Sequence, residues 1–361
     1  MKKFLAILLF TFLAITNNAQ TTDMTTNPAD MKNYEIINTE SHIADLKLAI
    51  THKTPAISSN DYPVLMLHGS SFPSTLAFGF RMGNYSWMDN LGENGYDVYS
   101  LDFLGYGNSD RYAEMDVSST TATAAAEHTP VGRAGEAYKD VDKAVDLILR
   151  RTGQAKVYLI AHSWGGTVAI LYAGKFPEKV AKLVLFAAIT PRRDSSAADV
   201  IRGAYETMTP QERVDAMKDL TPAGEACRLE PEMFTSWGKE WLRSDKLALK
   251  YQSNTVRFPS GPSQDETDLL HNKAYYDPGG IKAPVLLIRG EWDQYPNNQD
   301  FDALFGRLKN APYKKYVVIG KGTHVMHLEK SRYQLYDETL QFLRWGDKYP
   351  GSQQTCHSIE W

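Results

Sequence analysis

The sequence predicts an α/β fold: a mostly parallel central sheet with helices on both faces, interrupted by a helical cap inserted between its last strands. Two observations carry this. The apolar runs at 64–67 (VLML), 157–160 (VYLI), 183–186 (LVLF), 285–288 (VLLI) and 316–319 (YVVI) are continuous rather than alternating, as expected of strands buried on both faces. Between the runs at 183–186 and 285–288, residues 191–280 break the strand–helix rhythm, showing helical patterns at 197–208, 211–220 and 233–251 and many aromatic residues.

In chain order, Lys2 and Lys3 precede an apolar stretch from Phe4 to Ile15 and a small residue, Ala19. This is the layout of a secretory signal, with an apolar segment short for a bilayer span, so residues 1–19 read as a signal peptide and the protein as exported, periplasmic or secreted. The Thr-rich 20–33 reads as a disordered lead-in, and 34–50 as an antiparallel hairpin. The core then occupies 34–190 and 281–348, the cap 191–280, and 349–361 is a C-terminal tail. Residues 130–151 form the best amphipathic helix, with Val141, Ala144, Val145, Ile148 and Leu149 on one stripe, Pro130 at its start and Gly153 past its end. A closing helix is expected over 332–345. Export would permit a Cys227–Cys356 disulfide, which sequence alone does not establish.

The strand at 157–160 runs through Ala161, His162, Ser163, Trp164 and Gly165 directly into a helical pattern. A small-x-Ser-x-Gly turn between strand and helix is a nucleophile elbow: it exposes the serine at a sharp turn and aims the helix N-terminus at it. A serine nucleophile needs a base and a group to orient that base. Asp293 follows the strand ending at Ile288, and His324 follows the strand ending at Ile319, each on a strand-end loop. Ser163, Asp293 and His324 are therefore the candidate catalytic residues, in the chain order Ser, Asp, His. Backbone N–H groups of Trp164 and Ser70 are the candidates for an oxyanion hole. Glu291 is the alternative acid and His327 the alternative base. His68 reads as a structural hydrogen-bonding residue and His162 as packing within the elbow.

These residues sit in segments that resemble the capped α/β-hydrolase fold: VLMLHGSS at 64–71, YSLDFLGYGNSDR at 99–111, LIAHSWGG at 159–166, LLIRGEWD at 286–293 and GTHVMHLEKSRY at 322–333. The serine branch of that family includes esterases and proline iminopeptidases. The resemblance implies acyl transfer to water from a small-molecule substrate, with no metal and no organic cofactor. Two departures stand out, Ala161 where the family usually has Gly and Ser-Ser after His68-Gly69. Family members that open epoxides or remove halide use an Asp at the elbow, and Ser163 argues against both. An aminopeptidase, a carbon–carbon bond hydrolase and a non-catalytic binding protein are the alternatives to an esterase. An aminopeptidase needs a cap carboxylate for the substrate's amino group, for which Glu240, between Trp237 and Trp241, is the candidate; these three are the expected substrate-binding residues.

A net charge of −4 over 361 residues, with no long basic run, leaves no electrostatic footprint for nucleic acid. No later segment is long and apolar enough to span a membrane.

Overall fold

A computed structural model describes residues 34–59, 61–117, 129–194, 196 and 200–345. The expected signal peptide, lead-in, C-terminal tail and Cys356 lie outside the described residues.

Ten strands are described. The core holds β1 Tyr34–Glu40, β2 Lys47–Lys53, β3 Val64–Leu67, β4 Val98–Asp102, β5 Val157–His162 and β6 Val180–Phe186. Two short strands of the cap follow, β7 Tyr205–Met208 and β8 Val256–Pro259, and the core resumes with β9 Val285–Gly290 and β10 Lys314–Ile319. The eight core strands form one sheet in the order β1-β2-β4-β3-β5-β6-β9-β10. The first two are the expected hairpin, and β2 meets β4 antiparallel. From β4 onward all pairings are parallel. The strands that read as continuous apolar runs are buried throughout, except β10, which lies at the sheet edge and is only half-buried. Parallel registry brings the strand ends together. Ala161 pairs with Leu67 on one side and Leu185 on the other, and Phe186 pairs with Ile288, so these strands finish along one rim.

Helix Ala134–Thr152 buries Ala137, Val141, Ala144, Val145 and Ile148, the expected stripe, and ends at Gly153 with φ 69°. That left-handed turn suits glycine, which has no Cβ to clash. This helix packs on the elbow helix Trp164–Lys175, while helix Trp87–Glu93 packs on the closing helix Arg332–Arg344.

The cap departs from expectation in three places. The segment Tyr205–Met208, expected to be helical, is the strand β7, pairing antiparallel with β8. Gly203, at φ 90°, ends any helical course just before it, and the aromatic and β-branched side chains of both strands suit a small sheet. The expected helix over 233–251 is divided at Asp245, whose φ and ψ of −94° and 103° are extended. The Asp245 carboxylate accepts from the Leu247 N–H at 2.9 Å and from the Arg257 N–H at 2.8 Å, so it caps one helix and ties it to β8. Helix Gly261–Leu270 carries only weak apolar periodicity, with no sequence signal strong enough to announce it.

The cap is inserted between β6 and β9, which are parallel neighbours, so it leaves the sheet at the rim where β6 ends and the chain then returns to the opposite edge to start β9. It docks through two tryptophans. Trp237 and Trp241 are fully buried, 5.8 Å apart and stacked. Their ring N–H groups donate to the Leu76 and Ser71 carbonyls at 3.3 and 2.9 Å. A second tie joins Leu229 of the cap to Glu329 as an isolated bridge, beside an Arg332–Glu230 ion pair.

Trp241→Ala should destabilise the fold by about 3–5 kcal/mol through the cavity it leaves. Trp241→Phe, which keeps most of the ring and loses the N–H, should cost about 1 kcal/mol. Chemical denaturation of the two variants checks this, and equal costs would show that the seam is not held by packing.

Candidate active site

Ser163 stands between β5 and the elbow helix at φ 54° and ψ −124°. An L-residue seldom adopts this geometry, and it costs on the order of 1–3 kcal/mol. The surroundings enforce it. A Cβ on Gly165 would lie 2.3 Å from the His68 carbonyl oxygen and 2.7 Å from that of Leu67. One on Gly166 would lie 2.4 Å from the Ala188 Cβ. Only glycine lets the helix start so close to β3 and to the chain after β6. Ala161, at the minus-two position, is fully buried, and its methyl is accommodated.

The Ser163 hydroxyl lies 2.8 Å from His324 Nε2. The other ring nitrogen, Nδ1, is 3.0 and 3.2 Å from the two carboxylate oxygens of Asp293. Asp293 is buried and also accepts from the Tyr295 N–H at 3.1 Å, which holds the carboxylate toward the ring. Three strand-end loops thus meet in a Ser–His–Asp relay. The loops are pinned from behind. Arg289 donates to the Asp293 carbonyl at 2.5 Å. The His324 loop is held by Thr323, whose hydroxyl donates to buried Glu329 at 2.5 Å. The two loops touch where a Cβ on Gly290 would fall 2.0 Å from the Gly322 oxygen.

The alternative residues are placed elsewhere. Glu291 is exposed and accepts from the Lys321 N–H at 2.9 Å, away from the imidazole. His327 is buried among aromatic rings, and neither ring nitrogen has a partner among the described residues. Burial, with the nearby charges of His324 and Arg213, pushes its pKa down to about 3, so it is neutral and engages no acid. His68 is also neutral, lowered by burial to about 4, and its Nε2 accepts the Phe103 N–H at 3.2 Å. His162 donates from Nε2 to the His324 carbonyl at 2.9 Å; it packs in the elbow and steadies the base's backbone.

Burial lowers the pKa of His324, while the charge of Asp293 and its hydrogen bond raise it; Glu266 also raises it and Arg213 lowers it. The net direction is upward. Two cap charges that sequence reasoning did not single out therefore act on the base.

Next to the serine, Gly69 comes close enough that a Cβ there would be 3.0 Å from the Ser163 Cβ. Ser70 follows it and is half-buried. Trp164 is the first residue of the elbow helix, where backbone N–H groups have no intrahelical acceptor. Its indole N–H donates to Asp265 Oδ2 at 2.8 Å, and Asp265 also takes the Ala134 N–H at 2.6 Å and pairs with Arg133. Asp265 thus joins the cap to the residue after the serine.

Trp237, Glu240 and Trp241, the expected substrate-binding residues, lie on the cap side of the seam with the core. Both tryptophans are spent on the seam between cap and core, with their N–H groups satisfied there. Glu240 pairs with Arg243, one helical turn on, at 2.8 Å. The carboxylate that does bear on the site is Glu266, one residue after Asp265 on a helix with little apolar pattern to show its orientation.

Residues 62–331 match the family model of the alpha/beta hydrolase fold, which is well over half of the chain. Epoxide hydrolase 4 of Mus musculus is 34% identical over 114 residues, 30% of this chain and 26% of that protein. The 1-acylglycerol-3-phosphate O-acyltransferase ABHD5 of Sus scrofa is 26% identical over 239 residues, 63% of this chain and 59% of that one. The chain spans about a quarter or less of the length of the first curated relatives it matches. Among solved structures, an esterase from Exiguobacterium antarcticum superposes with a TM-score of 0.54 at 18% identity, covering 85% of this chain and all of that one. With the sheet order, the rim-borne loops and the elbow already in place, the match over residues 62–331 shows that the chain belongs to the α/β-hydrolase fold family.

Proposed function

We propose that the protein is a serine hydrolase that cleaves carboxylic esters through an acyl-enzyme. The observation that carries this is the 2.8 Å contact between the Ser163 hydroxyl and His324 Nε2, with Asp293 on the far side of the ring. In this reading Ser163 Oγ attacks the ester carbonyl carbon as its proton passes to His324 Nε2. The N–H groups of Ser70 and Trp164, and the elbow helix N-terminus, stabilise the oxyanion. The tetrahedral adduct collapses, and the leaving alkoxide takes the proton from His324. Water then attacks the acyl-enzyme, giving its proton to His324, which returns it to Ser163 as the carboxylic acid departs. Asp293 keeps the imidazole in the tautomer that presents a lone pair to the serine. The sequence features of a signal peptide fit work outside the cytoplasm.

An aminopeptidase is a second reading with one observation in its favour. Glu266 reaches the site from the cap, makes no ion pair among the described residues, and acts electrostatically on His324, Arg192 and Arg213. Burial raises its pKa, and Glu206, raised likewise by burial, also feels the Glu266 charge. A substrate ammonium would relieve both. Glu266 stands beside Glu240 as a cap carboxylate for this role.

A fluorophosphonate probe should label the folded protein at Ser163, and Ser163→Ala should abolish labelling and lower ester kcat/KM by roughly a thousandfold or more. Labelling that persists in Ser163→Ala would remove the proposed nucleophile. Because the base must be neutral to accept a proton, kcat/KM should rise with pH with a midpoint above 6.5, the ordinary histidine value. The same raised pKa makes the His324–Asp293 pair stabilising below that value, a contribution lost as pH rises through the folded-state pKa. Asp293→Asn should move the kinetic midpoint down and cut kcat by roughly ten-thousand-fold. Side by side, 4-nitrophenyl esters and proline arylamides separate the two readings: Glu266→Gln should spare the esters and cripple arylamide turnover only if the aminopeptidase reading holds.

A further inference from the structure

Arg213, on cap helix Pro210–Lys218, lies over the ring of Phe72, with its guanidinium carbon 5.3 Å from the ring centroid. Phe72 closely follows Ser70, so this cation stands above the loop proposed to hold the oxyanion. Its charge is felt at His324, His162 and His327, within electrostatic reach of the catalytic base.

Other inward-facing arginines have partners. Arg257 donates to the Met115 and Val117 carbonyls, Arg289 to Pro296 and Asp293, and Arg332 pairs with Glu230. Arg213 differs. A buried Nε without a hydrogen-bond partner is common to Arg111, Arg213, Arg228, Arg257 and Arg332, but among the described residues the Arg213 guanidinium makes no side-chain hydrogen bond and no ion pair. Burial lowers its pKa to about 10, so it is still cationic at neutral pH. A half-buried guanidinium whose Nε is withdrawn from water without a counter-ion is costly, and five N–H donors in a planar fork match a carboxylate. The carboxylate that acts on Arg213, Glu266, makes no ion pair with it and acts on His324 more strongly than Arg213 does. Arg213 is grouped with the oxyanion loop through Phe72, whereas Glu266 bears on Tyr295 of the acid loop.

We propose that Arg213 is an anion subsite, binding a carboxylate carried by the substrate beside the scissile carbonyl. The proposal rests on the serine-hydrolase reading for the chemistry, and on Arg213 itself for the binding. One unpaired cation calls for one negative charge, which favours a carboxylate over a phosphate dianion, and Glu266 repels that carboxylate from the acid-loop side. Substrate orientation follows from the two charges together.

Two matched ester pairs test this: mono-4-nitrophenyl glutarate against 4-nitrophenyl valerate, with the charge on the acyl part, and 4-acetoxybenzoate against 4-acetoxybenzamide, with the charge on the leaving group. For at least one pair, the ratio of kcat/KM for charged over neutral ester should fall tenfold or more in Arg213→Gln, chiefly through KM, since a charge-assisted pair is typically worth about that factor. A smaller fall in both pairs overturns the subsite, as does a stronger preference for a phosphate-bearing ester than for either carboxylate. The thermal midpoint of Arg213→Gln should be at or above that of the wild type; a lower midpoint with unchanged ratios marks Arg213 as structural only. Where the Gln variant does not fold, Arg213→Met, of similar reach, is read the same way. Calorimetric titration of Ser163→Ala with glutarate isolates binding from chemistry: binding should be detected and be lost on adding Arg213→Gln. If no ester is turned over, the hydrolase reading falls, and the glutarate titration still decides the subsite.

Discussion

The constraint on which the rest depends is the left-handed backbone of Ser163, held at φ 54° between a buried strand and a buried helix. A residue in that geometry relaxes unless its neighbours forbid it. Here they forbid it from three directions, with the β3 carbonyls against Gly165, Ala188 against Gly166, and Gly69 against the serine Cβ. The elbow helix buries Val168, Ala169, Ile170, Tyr172 and Ala173, which offsets the local strain many times over. The hydroxyl is thereby offered at the rim where β9 and β10 deliver their own loops.

Histidines crowd this rim, and burial sorts them. His68, His162 and His327 are enclosed without an acid, so the desolvation of a charged imidazole keeps each neutral. His324 alone among the four faces a carboxylate, and it keeps about a fifth of its side-chain surface open toward the pocket. The neutral rings are still useful there, since His162 holds the backbone of His324 and His68 holds that of Phe103.

The cap combines attachment with recognition. Trp237, Trp241 and Asp265 tie it to the core through donors and acceptors that would otherwise be buried unsatisfied. Each anchor has a charged neighbour in the chain or on the adjoining helix that bears on the pocket instead: Glu266 beside Asp265, and Arg213 on the helix packed against that of Trp241. A cap seated this firmly holds those charges at fixed positions relative to the serine.

By itself the sequence determined the sheet, the rim and the placement of Ser163, Asp293 and His324 on strand-end loops. Each of those is a local pattern, an apolar run closed by turn residues, and parallel strands carry every such end to one edge. Tertiary structure decided between near-equals that sequence spacing leaves level. Asp293 and Glu291 are two residues apart, as are opposite sides of one turn, and only the fold shows which carboxylate meets the imidazole. The cap was the least legible part. Its helices are short and polar, with no apolar stripe to say which way they are rolled, so Glu240 and Glu266 look equivalent in the chain. One pairs with Arg243 a turn on and the other lies within electrostatic reach of His324, next to Asp265, whose hydrogen bond from Trp164 holds that helix to the core.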